Sequence, residues 1–401
     1  MIDTLDLFAA GPDGGQRQAL MALAARGPVH RIELPSGRQA WLVTGYHEGR
    51  AALNDDRLRR GHWNMPYLDR MPEETGYLHG HMLNQNPPDH TRLRKLVSAV
   101  FTRRRVAMLE PRITEIADEL ISPVVAALVA GETVDLMERF AFPLPFQVIC
   151  ELLGVAPSDQ TEFLRYGALV GAATSIPFEE YAVAARALLA FLRDLIAAKR
   201  ERPGDDLLSA LVAVEADGER LTDAELTAMA NLLLVAGHET TAGMIGNGML
   251  ALLQHPTQLD ALRADPALLA GAVEEMLRYD DSLRTTLLMT AAKSFDLAGV
   301  DIEAGDTVVV SPLAAGLDPN LVERPDEFDI RRVSSHIAFG YGIHRCLGAP
   351  LAQLELRIAF RLLVDRLPDC ATDGDLRRAS AMIFNRLQTL PLRAVAAAPA
   401  S

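Results

Sequence analysis

One uninterrupted stretch near the middle of the chain constrains the fold more than any other feature. It begins at a capping box, Thr222-Asp223-Ala224-Glu225, whose outer side chains can satisfy each other's backbone N–H groups. No proline follows until Pro256, and at 1.5 Å per residue the segment predicts a helix of ~45 Å. Because a helix of this length crosses an entire domain, the other elements must pack around it.

The composition predicts a folded, mainly helical protein. Of the 401 residues, 49% are hydrophobic and 23% are charged, which is typical of globular domains. Helical periodicity dominates after His90, and strand patterns are short. No linker or internal repeat separates the chain into parts. We therefore expect a mainly α fold with small β-sheets and a single domain over residues 1–401.

The net charge and the cysteine content indicate which partners and which cellular compartment to expect. A net charge of −14 argues against nucleic acid as a partner. The 3 cysteines cannot build a disulfide framework and fit a reducing compartment. The first residues lack the pattern of a secretory signal. Polar residues 238–241 interrupt the most apolar stretch, 226–254, so we expect a buried helix, no membrane association and a cytoplasmic protein.

Several other segments give local predictions. Residues 59–86 are irregular, which fits either a functional loop or a disordered surface insertion. The small-residue stretch 167–174 lies between two helices and fits either a flexible lid or an ordinary connection. The remaining patterns predict a hairpin from 29–34 and 39–43, a helix over 106–129 that ends before Gly131, strands within 296–310, and a last helix from about 349 to 367.

The segment Phe339-Gly340-Tyr341-Gly342-Ile343-His344-Arg345-Cys346-Leu347-Gly348 carries the clearest chemistry. Its three glycines permit tight turns and close backbone approach. A helix with Pro350 in its first turn follows, so Cys346 lies near a helix N-terminus beside Arg345 and His344. Backbone N–H groups and nearby positive charge favour the thiolate, which can act as a nucleophile or a metal ligand.

The cysteine segment and the central polar segment also have other interpretations. A free cysteine is often buried and inert. A dinucleotide-binding loop would need glycine where Arg345 stands, and a zinc site would need further ligands at metal spacing. The pair His238-Glu239 suggests a zinc protease, but that motif requires a second histidine where Ala242 stands.

The cysteine segment fits the pattern F-x-x-G-x-x-x-C-x-G and resembles the haem-ligand motif of the cytochrome P450 superfamily. Three further segments resemble motifs of that family, in the family's order, and the resemblance extends over nearly the whole chain. They are Pro87-Pro88-Asp89-His90-Thr91-Arg92-Leu93-Arg94, Ala236-Gly237-His238-Glu239-Thr240-Thr241 and Glu275-Met276-Leu277-Arg278. The details of these motifs are similar to those of bacterial, especially actinobacterial, members.

The resemblance implies a P450 fold with haem b between the long central helix and the helix of the cysteine loop. It makes Cys346 the axial ligand of the haem iron, and a thiolate in that position favours O–O cleavage. The haem propionates would be bound by His90, Arg94 and His344. Gly237 lacks a side chain, which would allow a ligand to approach the helix backbone. Phe339 belongs to the same haem-contacting set.

Polar residues in the central apolar stretch need a reason, because burying an unbonded polar group is costly. From the residues alone, Thr240 could bond back to its own helix, or the helix could be locally distorted around a water-filled notch. The resemblance implies catalysis instead, with Thr240 stabilising dioxygen and Glu239 relaying protons from solvent. Glu275 and Arg278 would form a buried structural pair.

Two departures from the family pattern are visible. Many relatives carry a propionate-binding arginine about ten residues after the E-x-x-R motif, where this chain has Leu287, Leu288 and Met289. Arg284 comes too early to replace it by simple alignment. Relatives also often carry arginine where Glu327 stands, and either Arg331 or Arg332 could take over its contact with Glu275.

The family pattern places the substrate beside mostly apolar segments, which predicts an apolar or weakly polar molecule of natural-product size. Electrons must come from outside, and a ferredoxin with its reductase is the expected donor, with Arg103–Arg105 and Arg345 as a basic docking patch or as ordinary solvated residues. The expected function is a monooxygenase that uses O₂. Oxidative coupling without oxygen insertion, and non-catalytic haem or small-molecule binding, remain alternatives. The expected substrate contacts are Leu83, Val235, Ala236, Leu288 and Phe384.

Overall fold

The helical periodicity of the sequence produces a mainly helical chain with short strands, as predicted. The structure is a computed structural model that describes residues 15–61, 73–171, 176–333, 335–379 and 381–395. The α-helices in these ranges are α1 Gly15–Ala24, α2 Tyr46–Leu53, α3 Glu73–Gly76, α4 Asp89–Val100, α5 Arg103–Met108, α6 Glu110–Val129, α7 Pro143–Leu153, α8 Gln160–Gly171, α9 Phe178–Glu201, α10 Leu207–Ala213, α11 Asp223–Gln254, α12 Pro256–Ala264, α13 Leu269–Tyr279, α14 Pro312–Gly316 and α15 Ala349–Arg366.

The strands are short and form small sheets. They are β1 Val29–Glu33, β2 Gln39–Val43, β3 Leu58–Arg59, β4 Val134–Asp135, β5 Met289–Ala291, β6 Phe295–Leu297, β7 Val300–Ile302, β8 Thr307–Val310, β9 Cys370–Thr372, β10 Arg377–Arg378, β11 Leu387–Thr389 and β12 Pro391–Ala394. The largest sheet has the order β1-β2-β8-β5-β3. In it β1 and β2 form the predicted antiparallel hairpin, and β2 runs parallel to β8 with Trp41 opposite Val308.

The described chain forms two compact units, each assembled from separate stretches of sequence. The first contains the described residues within 1–58, 111–144 and 240–401, and the second contains those within 59–110 and 145–239. In the first unit, apolar side chains of the largest sheet pack with Tyr46 and Ile337 into a buried cluster. The prediction of a single domain over the whole chain stays a prediction.

The capping box opens the long central helix, α11, as predicted. The Thr222 backbone N–H donates to Oε2 of Glu225 at 2.8 Å, and the Glu225 N–H donates to the Thr222 hydroxyl at 3.2 Å. Helix α11 then runs for 32 residues, from Asp223 to Gln254. No helix in the described part of the chain is both long and apolar enough to cross a membrane.

The predicted helix over 106–129 is wrong at its start. The helix is interrupted at Leu109, so α5 ends at Met108 and α6 begins at Glu110. A cap that the periodicity did not reveal begins α5, because the Thr102 hydroxyl accepts the Arg105 N–H at 3.2 Å. The predicted end is confirmed. Helix α6 ends at Val129, and Gly131, two residues later, has a φ of 82°.

Two of the predicted segments lie partly outside the described residues. Within 59–86, positions 62–72 are not described, and the described part contains 3₁₀ turns at Tyr77–His79 and Met82–Asn84. Within the predicted lid, 167–174, helix α8 continues to Gly171 and positions 172–174 are not described. The predicted strands within 296–310 and the last helix are confirmed as β6 to β8 and α15.

Candidate functional site

Cys346 lies at the end of a closed loop, immediately before the N-terminus of α15. Its backbone N–H donates to the carbonyl of Phe339 at 2.8 Å, which fixes the distance between the two ends of the motif. Gly348 is the N-cap of α15, and its Cα carries no side chain beside the Cys346 sulfur. The Cys346 side chain is exposed, and a position before a helix N-terminus favours the thiolate form of a cysteine.

The loop needs glycine at two of its positions. Gly342 has a φ of 71°, and a Cβ atom there would lie 2.6 Å from the carbonyl oxygen of Leu53, which is backbone and cannot move aside. Gly340 also has a positive φ, 67°, but a Cβ atom there would meet nothing closer than 3.9 Å. Both residues therefore supply a backbone conformation, and Gly342 also supplies close contact with helix α2.

The predicted pair of Glu275 and Arg278 forms a fully buried ion cluster. Nε and Nη2 of Arg278 donate to the two carboxylate oxygens of Glu275 at 2.7 and 2.8 Å. The remaining N–H groups donate to the carbonyls of Gly316, Pro325 and Glu327 at 2.7, 2.8 and 3.0 Å. Because every guanidinium donor has an acceptor, the cluster anchors the segment that leads toward the cysteine loop.

The structure identifies which arginine replaces the family's contact with Glu275. Nε of Arg332 lies 3.3 Å from Oε1 of Glu275, and the Asp329 N–H donates to the same oxygen at 2.9 Å. Arg331 instead uses its backbone N–H to bind the Asp329 side chain. Of the two arginines that the sequence left open, Arg332 is therefore the partner of Glu275.

In the second unit, His90 and Arg94 lie four residues apart on α4, as the sequence predicted. The His90 side chain is buried, and this burial is the main reason that its pKa is lowered; the positive charge of Arg94 lowers it further. Arg94 is half-buried. A cationic guanidinium beside a buried imidazole is a suitable binding set for carboxylate groups.

The polar segment of α11 has a packing explanation at one position. A Cβ atom on Gly237 would lie 2.7 Å from Cδ1 of Ile149. Glycine here lets helix α7 approach α11, which differs from the expected role of admitting a ligand. The neighbouring His238 is buried edge-on against Phe146, with ring centroids 5.8 Å apart. Ala236 is exposed.

Glu239 and Thr240 are both half-buried. They are consecutive residues of a continuous helix, so their side chains point about 100° apart around the helix axis. Glu239 ends the part of α11 that belongs to the second unit, and Thr240 begins the part that belongs to the first. Their chemistry suits a proton donor and a proton relay.

Two of the predicted substrate segments come together in the first unit. Leu283 and Phe384 form an isolated antiparallel bridge, and the Arg284 N–H donates to the Ile383 carbonyl at 2.8 Å. Leu288 packs against the same apolar cluster as Met382. Leu288, Met382 and Phe384 are all half-buried. Of the contacts predicted in the second unit, Leu83 and Val235 are half-buried.

Arg284 comes four residues before Leu288 and has a buried side chain. Its guanidinium is buried and donates from Nη1 to the Ala381 carbonyl, so it braces the segment that contains Phe384. Burial lowers the pKa of Arg284 to about 10.

The environments of the cysteines separate Cys346 from the other two. Burial raises the pKa of the Cys150 thiol to about 12, and burial is also the main reason that the pKa of Cys370 is raised. Among the described residues, no group of three or more His, Cys, Asp or Glu side chains is arranged to hold a metal.

Sequence reasoning missed two residues of this site, Glu274 and His336. His336 is three residues before Phe339, and its Nε2 lies 2.9 Å from the Glu274 carboxylate. Glu274 is next to the E-x-x-R motif and His336 is close to the cysteine segment, and this proximity was a signal in the sequence. The contact itself joins positions 62 residues apart and could not be read from local spacing.

The chain matches known proteins over most of its length. The cytochrome P450 family model matches residues 185–367. Cytochrome P450 monooxygenase PikC of Streptomyces venezuelae is 45% identical over 400 residues, covering 97% of this chain and 94% of the relative. The 6-deoxyerythronolide B hydroxylase of Saccharopolyspora erythraea is 43% identical over 373 residues, covering 89% and 91%. The solved structure of CxnD, a cytochrome P450 enzyme for C–S bond formation in chuangxinmycin biosynthesis, has a TM-score of 0.86 with 36% identity, covering 96% of each chain.

Proposed function

Because this chain belongs to the cytochrome P450 family and is a monooxygenase of that family, we propose that it inserts one oxygen atom of O₂ into an apolar, natural-product-like molecule by hydroxylation or epoxidation. The observation that carries the proposal is Cys346, an exposed thiol at the N-terminus of α15, held by the backbone bond to Phe339. This environment favours a thiolate, and a thiolate is the axial ligand that P450 chemistry requires.

The cofactor of the family is a haem, and we assign haem b to this chain. Cys346 would bind its iron, and Phe339 would contact it. His90, Arg94 and His344 would bind its propionates, since cationic or N–H-donating side chains suit carboxylates. When bound, the haem supplies the site at which O₂ is reduced and cleaved.

Thr240 and Glu239 would handle protons. The Thr240 hydroxyl would hold a hydrogen bond to the oxygen that is to be protonated, and the Glu239 carboxyl would carry protons inward from solvent. Adjacent placement on a continuous helix keeps the two groups in a fixed angular relationship. Without such delivery, electrons would be lost to peroxide.

The substrate would lie against apolar side chains. Leu288 and Phe384 are the expected contacts from the first unit, and Leu83, Val235 and Ala236 are the expected contacts from the second. The relative named for hydroxylation of 6-deoxyerythronolide B supports a polyketide-like molecule as the substrate class. Such a ligand is held mainly by apolar contact with few polar anchors.

Electrons would come from a ferredoxin and its reductase. Arg103, Arg104 and Arg345 are exposed and available to an acidic carrier, whereas Arg105 contacts Asp205 and the Asp206 carbonyl. Electrostatic attraction of this kind would raise the association rate at low salt.

Oxidative coupling without oxygen insertion is the second candidate, supported by the likeness to CxnD. The test is turnover of the reconstituted enzyme under ¹⁸O₂ with a panel of apolar polyketides, chosen by ligands that shift the haem spin state. One ¹⁸O atom in the product supports the proposal. A product that is oxidised but unlabelled supports coupling, and spin-state shifts without any turnover support a non-catalytic binding protein.

A further inference from the structure

The cysteine loop is joined at both ends to one carboxylate on a different helix. Glu274 lies on α13; its Oε2 is 2.9 Å from Nε2 of His336, where the loop begins. Its Oε1 accepts a hydrogen bond from the Gln353 amide at 2.7 Å, in the first turns of α15 where the loop ends. One side chain therefore links the two segments that flank Cys346.

The hydrogen bonds of His336 define which ring nitrogen donates and which accepts. The backbone N–H of Ala338 donates to Nδ1 at 3.2 Å, so Nδ1 must carry a lone pair. Nε2 then carries the proton and donates it to Glu274. The histidine is a two-ended connector, with Glu274 on one side and the loop backbone on the other, and its side chain is only 8% exposed.

The connection continues to the cysteine. The His336 ring packs against the Phe339 ring with centroids 5.9 Å apart. The Phe339 carbonyl accepts the Cys346 N–H at 2.8 Å, and the N–H that His336 accepts belongs to the Ile337–Ala338 peptide. The planar Ala338–Phe339 peptide lies between the two, so a shift at Ala338 would be passed through it to the Phe339 carbonyl and the hydrogen bond with Cys346.

The Glu274 carboxylate is suited to this role because it is ionised. The hydrogen bond from His336 is the largest cause that lowers the pKa of Glu274; partial burial opposes it, and Gln353 and Arg357 lower the pKa further. A charged acceptor makes a stronger and more directional bond than a neutral one.

We propose that Glu274 and His336 are positioning residues for Cys346, and that together they hold the Ile337–Ala338 peptide so that the sulfur keeps the geometry of a thiolate ligand. The inference rests on the proposed haem ligation by Cys346. The competing interpretation is a local structural anchor that affects folding of the loop and leaves the sulfur environment unchanged.

The test compares matched variants of the haem-loaded protein. His336→Phe keeps ring packing against Phe339 and loses both hydrogen bonds. His336→Asn retains an oxygen that can accept the Ala338 N–H and loses the contact with Glu274. Glu274→Ala removes the anchor, and His336→Phe with Glu274→Ala closes a double-mutant cycle. His255→Phe is the control. Like His336, His255 forms a hydrogen bond with the backbone, in its case between Nδ1 and the Ala251 carbonyl at 2.8 Å.

The readouts are the carbon monoxide complex of the reduced protein and amide hydrogen exchange of residues 337–346. Losing the two bonds in His336→Phe should shift the equilibrium about tenfold toward the form without thiolate ligation and speed exchange at Ala338. His336→Asn should recover part of both effects. Glu274→Ala should resemble His336→Phe, and the double variant should be no worse than either, because both residues act through one connection.

The inference is overturned if His336→Phe keeps the wild-type spectrum while fully folded, or if the two single effects add in the double variant. A wild-type protein that lacks the sulfur-ligated band would instead refute the proposed function, which keeps the two failures distinct. A change in thermal stability alone, equal in His336→Phe and His336→Asn, would identify a structural anchor and also overturn the inference.

Discussion

Arg332 donates from Nε to Oε1 of Glu275 at 3.3 Å and is the second arginine bound to that buried carboxylate. Arg278 already binds both oxygens, and the pair is completely inaccessible to solvent. Glu275 therefore balances a charge cluster in which each member depends on the others.

Removing the charge of Glu275 should be strongly destabilising. Glu275→Gln leaves the buried Arg278 guanidinium without its counter-ion, which typically costs about 3–5 kcal/mol. Arg332→Gln should cost less, about 2 kcal/mol, since its guanidinium binds Glu275 and three backbone carbonyls closer to the surface. Denaturant unfolding measures both. Glu327→Gln is the control, because its side chain is half exposed and binds an exposed Arg324; equal losses in all three variants would contradict the cluster.

The two loop glycines should differ in their tolerance of alanine. Gly340→Ala incurs the cost of a positive φ, about 1–2 kcal/mol. Gly342→Ala incurs that cost and also collides with the Leu53 carbonyl, so it should be clearly worse and should weaken haem retention. Thermal unfolding and the haem-to-protein ratio after gel filtration measure the difference. A Gly342→Ala variant as stable as Gly340→Ala would show that the loop can move away from α2.

Thr240→Ala should uncouple electron use from product formation. If the hydroxyl assists protonation of oxygen, its loss should raise peroxide release per NADPH consumed and lower product yield, while the rate of electron uptake changes little. The control is Thr227→Ala on the same helix, whose hydroxyl binds the Asp223 carbonyl. Unchanged coupling in Thr240→Ala would leave that hydroxyl with a structural role only.

The buried carboxyl of Glu355 predicts a pH-dependent stability. It lies on α15, and burial raises its pKa well above the ordinary value of 4.5. The folded state therefore favours the protonated form, so its contribution is fully present below pH 4.5 and is lost as the pH rises toward the folded-state pKa. Relative to Glu355→Gln, wild-type unfolding free energy should fall by about 1.4 kcal/mol per pH unit across that window. Parallel pH profiles of the two proteins would contradict a neutral buried Glu355.

Local sequence signals predicted the long helix and the cysteine loop because each depends on neighbouring residues. The Thr222–Glu225 cap and the absence of proline before Pro256 were enough for α11. The break at Leu109 was not predictable from apolar spacing, which runs through it without a change of phase.

Long-range contacts escaped the sequence for a physical reason. The choice of Arg332 over Arg331, the bond between Glu274 and His336, and the packing of Gly237 against Ile149 all depend on where distant elements meet. The residue types narrowed the candidates in each case, and the packing of the folded chain decided among them.

Thiolate ligation by Cys346 is tested most directly by the absorbance of the reduced, carbon monoxide-bound protein after haem loading. Wild type and Cys370→Ser should both show the red-shifted band of a sulfur-ligated haem, and Cys346→Ser should remain folded and lose it. A wild-type spectrum without that band, or a Cys346→Ser spectrum that retains it, would contradict the assignment.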